Sequence, residues 1–93
     1  MIRCVVEMFG LPPQVTELRE VEVGLKDGAS LGDVIAALRR EIPAMEGRVI
    51  RADEDWLMEH YGFNINGHFY LDDSELQLKD GDHVALLALA GGG

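Results

Sequence analysis

The residues of this chain best suited to chemistry are its last three, Gly91-Gly92-Gly93. Glycine has no Cβ and accepts conformations that other residues avoid, so this tail is thin enough to extend through a narrow channel. The Gly93 carboxylate would then reach a reaction centre in another protein. Transfer to AMP would turn this poor electrophile into a mixed anhydride, and attack by a sulfur nucleophile would give a thiocarboxylate, a good sulfur donor. The alternative interpretation is a frayed, inert terminus or a cloning remnant.

The usual catalytic and metal-binding patterns are missing from the rest of the chain. Its two serines, Ser30 and Ser74, fit a helix cap and a turn. His60, His68 and His83 are not spaced as metal ligands, and no close pair of cysteines accompanies them. We therefore expect no catalytic residue, no metal and no cofactor in this chain, and we expect surface or turn positions for the histidines.

Charge and hydropathy limit the partners and the location. The chain has 93 residues, with 17 acidic and 8 basic side chains and a net charge of -9. Such a surface repels phosphate backbones and anionic lipids, so we expect no nucleic acid and no membrane partner, but a protein with a basic patch. Acidity that only maintains solubility is the alternative. No apolar run approaches the roughly 18 residues that span a bilayer, and no signal peptide pattern is present, which predicts a cytoplasmic protein.

Two alternating runs open the chain and predict a β-hairpin. Residues 2 to 9 and residues 17 to 25 place apolar side chains at many alternate positions. Pro12 and Pro13 separate the two runs, because proline cannot donate to a strand ladder. Cys4, the only cysteine, lies inside the first run, so we expect a buried and inert thiol.

One helix is well defined and one segment is not. Ser30 predicts an N-cap with Asp33 as the acidic partner of a capping box, and apolar residues at helical spacing continue until Pro43 ends the helix. Residues 44 to 61 have no clear pattern. Our interpretation there is a short helix over residues 53 to 61, with Trp56 or Leu57 packing inward.

Three more strands complete the predicted fold. Asn66-Gly67 indicates a hairpin, a loop or helical turn follows at residues 72 to 76, and residues 83 to 90 are apolar enough for a central strand. The order strand, strand, helix, strand, strand, strand predicts an α+β protein with the β-grasp, or ubiquitin-like, architecture. We expect a mixed sheet of about five strands with one main helix across one face over residues 1 to 90, and a flexible tail at residues 91 to 93.

Six short segments carry a family resemblance when they are taken in order. They are VVEMFG (residues 5 to 10), GASLGDV (28 to 34), IPAM (42 to 45), FNING (63 to 67), LKDGDHVALL (78 to 87) and AGGG (90 to 93). Together they resemble the MoaD/ThiS family of ubiquitin-like sulfur carrier proteins, over nearly the whole chain.

The resemblance implies a carrier, or the non-catalytic small subunit of a sulfur-transfer enzyme, rather than an enzyme. A ubiquitin-activating-type adenylating enzyme would activate Gly93, and a persulfide would supply the sulfur. Residues 91 to 93 would enter the partner's active site while Phe9, Leu87 and Leu89 dock beside it. A sulfur-accepting synthase subunit, in one arrangement a heterotetramer, would be the second partner.

The length favours the molybdopterin synthase small subunit, so we expect molybdopterin to receive the sulfur. Ala88-Leu89-Ala90 stands where such members often have prolines, which weakens that preference. Two other functions stay open. One is a protein modifier joined through Gly93 to lysines of its targets, and the other is a β-grasp interaction domain with an inert tail.

Overall fold

A computed structural model of the chain describes residues 1–70 and 76–89. It contains strands β1 (Ile2–Phe9), β2 (Glu20–Leu25), β3 (Tyr61–Ile65), β4 (His68–Tyr70) and β5 (His83–Ala88), helix α1 (Leu31–Glu41) and a short 3₁₀ helix (Pro43–Met45). The described elements follow the predicted order, with the 3₁₀ turn as an addition.

The strands form one mixed sheet in the spatial order β2-β1-β5-β3-β4. β1 runs antiparallel to β2 and parallel to β5, whereas β3 is antiparallel to both β5 and β4. The first and last strands therefore lie side by side at the centre of the sheet. This arrangement confirms the predicted β-grasp fold.

The core lies between α1 and one face of the sheet. Every second residue of β1 is buried, and the buried positions of the neighbouring strands lie in register with them: Val23 with Cys4, and Val84 with Val6. Leu31, Val34, Ile35 and Leu38 are the fully buried residues on the inner side of α1. The period of two in the strands and the helical spacing in α1 thus point their apolar side chains at one another.

The predicted capping box is confirmed. The Ser30 side chain accepts a hydrogen bond from the backbone N–H of Asp33 (3.4 Å), and the Asp33 carboxylate accepts one from the backbone N–H of Ser30 (2.9 Å). Ile42 is the C-cap, and Pro43 opens the 3₁₀ helix that turns the chain away.

The second strand is shorter than predicted. It begins at Glu20 and not at residue 17. The Val15 N–H donates to the Pro12 carbonyl (2.9 Å) in a turn before the predicted strand. The Leu18 N–H donates to Thr16 Oγ1 (3.0 Å), so a side-chain oxygen takes a backbone donor that a strand would pair. Leu18 consequently lies 54% exposed outside the core.

The predicted short helix over residues 53 to 61 is wrong. This segment is an irregular loop up to Tyr61, where β3 begins, and Leu57 pairs with Ile50 in an isolated β-bridge. The expectation of inward packing is confirmed, since Leu57 is buried and the Trp56 ring meets the Phe63 ring edge-on with 6.1 Å between centroids.

The loop keeps its shape because a cation from the helix binds its backbone. Arg39 Nη2 donates to the carbonyls of Arg51 and Glu54 (2.9 Å each), and its Nη1 pairs with the Asp55 carboxylate. A helix over residues 53 to 61 would need the Glu54 carbonyl for its own hydrogen bond to the Met58 N–H, which donates to the Val49 carbonyl in the structure.

Some predictions lie outside the described residues. These are most of the loop or turn at residues 72 to 76 and the end of the chain from residue 90. The last strand, predicted over residues 83 to 90, ends at Ala88, and Leu89 lies outside it. Within the part of the chain that the structure describes, no helix is long and apolar enough to cross a membrane.

Candidate functional site: the tail exit and the open face

The described part of the chain ends one residue after β5, which lies between β1 and β3 in the sheet. Ala88 pairs with Tyr61 of β3, and the Leu89 N–H donates to the His60 carbonyl (2.6 Å). On the other side Gly10 follows the end of β1. We call Gly10, His60, Ala88 and Leu89 the tail exit, because residues 91 to 93 continue the chain from here.

Steric constraints at the tail exit favour glycine at position 10. Its φ of +77° lies in the left-handed region, and a Cβ at this position would come within 3.1 Å of the Ala88 Cβ. A side chain would therefore add backbone strain and also press on the end of β5. His60 accepts a positive φ of 78° without being glycine. The backbone thus changes direction on both sides of the point where β5 ends.

Two of the three predicted docking residues are direct neighbours. Phe9 and Leu87 are partners in the parallel ladder between β1 and β5. Phe9 is 46% exposed although it is a large apolar residue, and Leu87 is half-buried. Leu89 follows Leu87 by two residues and is also half-buried. The structure therefore places the predicted residues at the end of the sheet from which the tail leaves.

These residues belong to a larger surface, the side of the sheet turned away from α1. We call it the open face, and its side chains are exposed or half-buried where the alternate positions are buried. By register and alternation its side chains are those of Arg3, Val5, Glu7, Phe9, Glu20, Glu22, Asn64, Phe69, His83, Ala85 and Leu87.

One row of the open face is acidic at one end and apolar at the other. Glu20, Glu7, Ala85, Asn64 and Phe69 lie side by side across all five strands. The two glutamates are thus directly opposite each other, and Phe69 at the far end is 50% exposed. The sequence predictions missed this row because it depends on strand register, which no short motif encodes.

Two of the three glutamates on the open face form ion pairs with described residues. Glu7 Oε1 lies 2.5 Å from His83 Nε2, and Glu22 pairs with Arg3 at 3.0 Å. Glu20 forms no ion pair with any residue in 1–70 or 76–89.

A shallow groove of about 330 Å³ adjoins the tail exit. Its lining residues are Met8, Gly10, Leu11, Pro13, Thr16, Glu17, Leu18 and Arg19, and Leu18 is 54% exposed. Charged and apolar side chains both line the groove, so it combines packing contacts with the charges of Glu17 and Arg19.

Cys4 lies at the opposite end of the sheet and is buried as expected. Its Sγ donates to the Lys79 carbonyl (3.7 Å). Burial raises the pKa of the Cys4 thiol, and the negative charges of Asp82 and Asp80 raise it further. The thiol therefore stays protonated and is a poor nucleophile at neutral pH.

The histidines have the predicted surface positions. His60, His68 and His83 are all exposed. Nowhere in the described ranges do three or more His, Cys, Asp or Glu side chains gather as they would around a metal ion.

Comparisons with known proteins find the same fold over nearly the whole length of the chain. The model of the ThiS family matches residues 6–93, and no curated protein sequence matches significantly. Among solved structures, SAMP1 from Haloferax volcanii is 29% identical, with a TM-score of 0.79 over 98% of this chain and 99% of that one.

Two more distant structures share the fold. A proposed molybdopterin converting factor, subunit 1, from Pyrococcus furiosus is 21% identical, with a TM-score of 0.71 over 97% of this chain and 100% of that one. A chain of the Amycolatopsis orientalis BexX/CysO complex is 19% identical, with a TM-score of 0.68 over 97% of this chain and 99% of that one.

Proposed function

The chain belongs to the ThiS family of small ubiquitin-like sulfur carriers, and on this premise we propose that its working group is the Gly93 carboxylate. A partner enzyme adenylates this carboxylate, and sulfur transfer then converts it into a thiocarboxylate. Family members of this kind are generally non-catalytic, which agrees with the buried, protonated Cys4 thiol. The chemistry in this proposal lies in the partner, and this chain supplies the reacting terminus.

The observation that carries the proposal is the position of the tail exit. β5 is a central strand, it ends beside the exposed Phe9, and the family model aligns from residue 6 through residue 93. A partner that binds Phe9, Leu87 and Leu89 would hold the sheet at the point where the tail begins. Residues 91 to 93 then have only glycine to pass through the partner's channel, with no side chain to obstruct it.

For the receiving pathway we propose molybdopterin synthesis, with a synthase subunit as the second partner. The folded loop between the 3₁₀ helix and β3 supports this choice over the thiazole pathway, because the resemblance gives thiazole-pathway members a shorter chain. The fold shared with the Pyrococcus furiosus protein is compatible with it.

A second function is favoured by a specific observation. The most similar structure reported above is named a small archaeal modifier protein, and it is 29% identical to this chain. A modifier would use the same Gly93 adenylate, but a lysine amine of a target would attack it. The bond formed would be an isopeptide, and AMP would leave.

The experiment that separates these functions is intact mass spectrometry of the chain after co-expression with the adenylating enzyme and sulfur donor of its own genome. A carrier gains the mass difference of one oxygen replaced by sulfur, and the change maps to Gly93. A modifier appears as higher-mass conjugates that contain the Gly93 carboxyl. Deleting Gly92 and Gly93 should abolish both products while the domain stays folded. If neither product forms in sulfur-replete cells, the tail is inert and the proposal fails.

A further inference from the structure

The outer edge of β2 has hydrogen-bonding groups that no described strand uses. β2 is at the end of the sheet order, so only β1 pairs with it among the described strands. The Met8 N–H donates to the Arg19 carbonyl (2.7 Å), and in an antiparallel ladder bonded pairs alternate with non-bonded ones. The N–H and C=O groups of Glu20, Glu22 and Gly24 therefore point away from β1, and no residue in 1–70 or 76–89 bonds to them.

This edge lacks most of the devices that protect sheet edges. Natural edge strands are blocked by proline, by a bulge, by charges or by very short length. β2 has six residues without a proline, and its register with β1 runs unbroken from Leu25 to Glu20, so it has no bulge. Glu20, Glu22 and Gly24 are all exposed. The charges of the two glutamates are the one protection left, and an added strand of suitable charge can pair here.

A groove lies between this edge and α1. Its volume is about 210 Å³, and its lining residues are Gly24, Leu25, Lys26, Asp33, Ala36 and Arg40. Asp33, Ala36 and Arg40 follow one another at spacings of three and four, so they lie on one side of the helix. Side chains of an added strand alternate between two faces, and those on the α1 side would enter this groove. The small Ala36 side chain leaves room there for an aliphatic residue.

The groove has two cations in a chain whose net charge is -9. The Arg40 side chain is exposed and forms no ion pair or hydrogen bond with any described residue. Lys26 Nζ lies 3.8 Å from the Asp33 carboxylate, which already accepts the Ser30 N–H (2.9 Å), and such an exposed pair contributes little to stability. Both cations are therefore available to the carboxylates of a partner.

We infer that the β2 edge binds an extended segment of another protein as an added antiparallel strand. Aliphatic side chains of this segment pack in the groove over Ala36, and acidic side chains next to them bind Arg40 and Lys26. The residues between them point to the open face beside Glu20 and Glu22, so they are neutral or basic. The backbone hydrogen bonds supply affinity, and the alternate side chains supply specificity.

A second copy of the chain fits this edge poorly. Antiparallel pairing of two β2 strands about a twofold axis at Glu22 would place the two Glu22 side chains opposite each other, and like charges in that position are destabilising. The net charge of -9 adds repulsion between two copies. Charge complementarity therefore supports another protein as the occupant.

The groove is far from the tail exit. Gly24 pairs with Arg3, and Phe9 follows Arg3 by six residues on β1, a distance of about 20 Å along the strand. The added segment and a partner of Gly93 can thus be bound at the same time. The inference does not depend on the chemistry of Gly93.

The test is titration of the isotope-labelled full chain with an acetylated and amidated synthetic peptide, DTVTVTD, followed by amide chemical shifts. Its valine and aspartate side chains share one face of a strand, and its threonine side chains share the other. We expect the outward amides of Glu20, Glu22 and Gly24 to shift more than the other amides of β2. The peptide NTVTVTN, which lacks the carboxylates, should bind about tenfold more weakly at low salt.

Methylation of the peptide backbone tests strand pairing without a change to the protein. In an antiparallel ladder the peptide residues that bond to Glu20, Glu22 and Gly24 lie opposite them, so their side chains point to the open face. N-methylation of two threonines should therefore abolish binding, whereas N-methylation of the two valines should leave Kd within about threefold. Equal affinities for the two methylated peptides would show that the peptide backbone does not pair with β2, and the inference would be overturned.

Variants of the protein test the edge and the cation. Glu22→Pro removes an N–H that points away from β1, where an edge strand tolerates proline, and it should abolish binding. Glu22→Thr loses the same carboxylate but keeps the N–H, so it should bind as the wild type does. Arg40→Glu should raise Kd about tenfold at low salt. Arg48→Glu makes the same charge change at an exposed residue outside the groove and should leave Kd within about twofold.

Other results would contradict the inference. If Arg40→Glu and Arg48→Glu change Kd equally, or if NTVTVTN binds as tightly as DTVTVTD, the groove does not recognise carboxylates and the inference is wrong. If sedimentation shows a wild-type dimer that Glu22→Pro dissociates, the occupant of the edge is a second copy, and the inference is wrong as well. The two methylated peptides decide the question of strand pairing even if Glu22→Pro unfolds.

Discussion

At the scale of single residues, Gly10 limits what the tail exit can tolerate. In Gly10→Ala the new Cβ must accept a φ of +77° and a 3.1 Å approach to the Ala88 Cβ. The left-handed conformation alone costs about 1–2 kcal/mol in a residue with a side chain. We expect Gly10→Ala to lower the free energy of unfolding by at least that amount, measured by urea denaturation, and to change the amide chemical shifts of Ala88 and Leu89.

Gly24→Ala is the control for this change. Gly24 lies in β2 with an ordinary φ, and its added Cβ would meet only the Met1 sulfur at 3.5 Å, which is normal contact. Its effect on unfolding should be small, since removing a glycine from a strand also removes its entropic cost. Equal losses in the two variants would show that the tail exit has no special steric requirement.

Cys4 gives a prediction about alkaline stability. Burial and the charges of Asp82 and Asp80 raise the pKa of its thiol above the ordinary value of 9.0, so the folded state holds this proton more tightly than the unfolded chain does. The resulting stabilisation is complete below pH 9.0 and is lost as the pH rises through the folded-state pKa. Unfolding free energies measured from pH 7 to pH 10.5 should therefore fall more steeply in the wild type than in Cys4→Ala. Parallel curves would contradict the raised pKa.

At the scale of elements, Arg39 joins α1 to the loop before β3. Its guanidinium donates to the carbonyls of Arg51 and Glu54 and lies against Asp55, and its side chain is only 26% exposed. Arg39→Met keeps the aliphatic packing but leaves the loop carbonyls without their donor. We expect a loss of about 2 kcal/mol, the usual range for hydrogen bonds to a charged group. Hydrogen exchange should quicken first at Met58, whose N–H bonds to the Val49 carbonyl.

Arg40→Met is the matched control, because Arg40 is the next residue and is exposed. It removes the same charge from the last turn of the helix, so it reports the dipole effect alone, about 0.3–1 kcal/mol. If the Met58 amide exchanges equally slowly in both variants, the loop is held by Leu57 and Trp56 rather than by Arg39.

Local signals were enough to predict most elements. The capping box at Ser30, the Asn66-Gly67 turn and the alternation of residues 2 to 9 each act within a few residues, and each is found in the structure. Two of the errors, the start of β2 and the supposed helix over residues 53 to 61, have a different origin. Before β2, Thr16 Oγ1 accepts the Leu18 N–H that a strand would pair. In the supposed helix, Arg39 binds the Glu54 carbonyl that the helix would use.

Contacts in the candidate site could be predicted where they follow from the order of the strands, but not where they depend on strand register. Phe9 and Leu87 were expected together because the fold places the first and last strands side by side. The opposition of Glu7 and Glu20 was not, since a shift of one residue in the β1–β2 ladder would have put these glutamates on different partners. Register is a property of two strands and a turn, and it is fixed by the whole hairpin.

At the scale of the whole molecule, the tail exit and the lysines lie at opposite ends of the sheet. The chain has two lysines, Lys26 and Lys79. Lys26 follows the end of β2, near the α-amino group of Met1, which pairs with Asp27 at 3.0 Å. The Lys79 carbonyl accepts from Cys4 Sγ near the start of β1. The tail exit is at the other end of the sheet, beside Gly10.

This separation should protect an activated terminus from the chain's own amines. From Cys4 to the level of Leu89 the strand geometry gives roughly 23 Å, and four residues beyond Leu89 reach at most about 14 Å. Even with the length of the Lys79 side chain added, the Gly93 carbonyl falls short of that amine, and Lys26 is farther still.

If the chain is prepared with Gly93 as a thioester at low micromolar concentration, it should give hydrolysed product and no cyclic product lacking one water, as measured by intact mass spectrometry. Glu59→Lys places an amine beside His60 at the tail exit, and it should cyclise with release of the thiol. A cyclic wild-type product mapped to Lys79 or Lys26 would show that the Gly93 carbonyl can reach these amines. A carrier with this chain would then need its partner to shield the activated carboxyl.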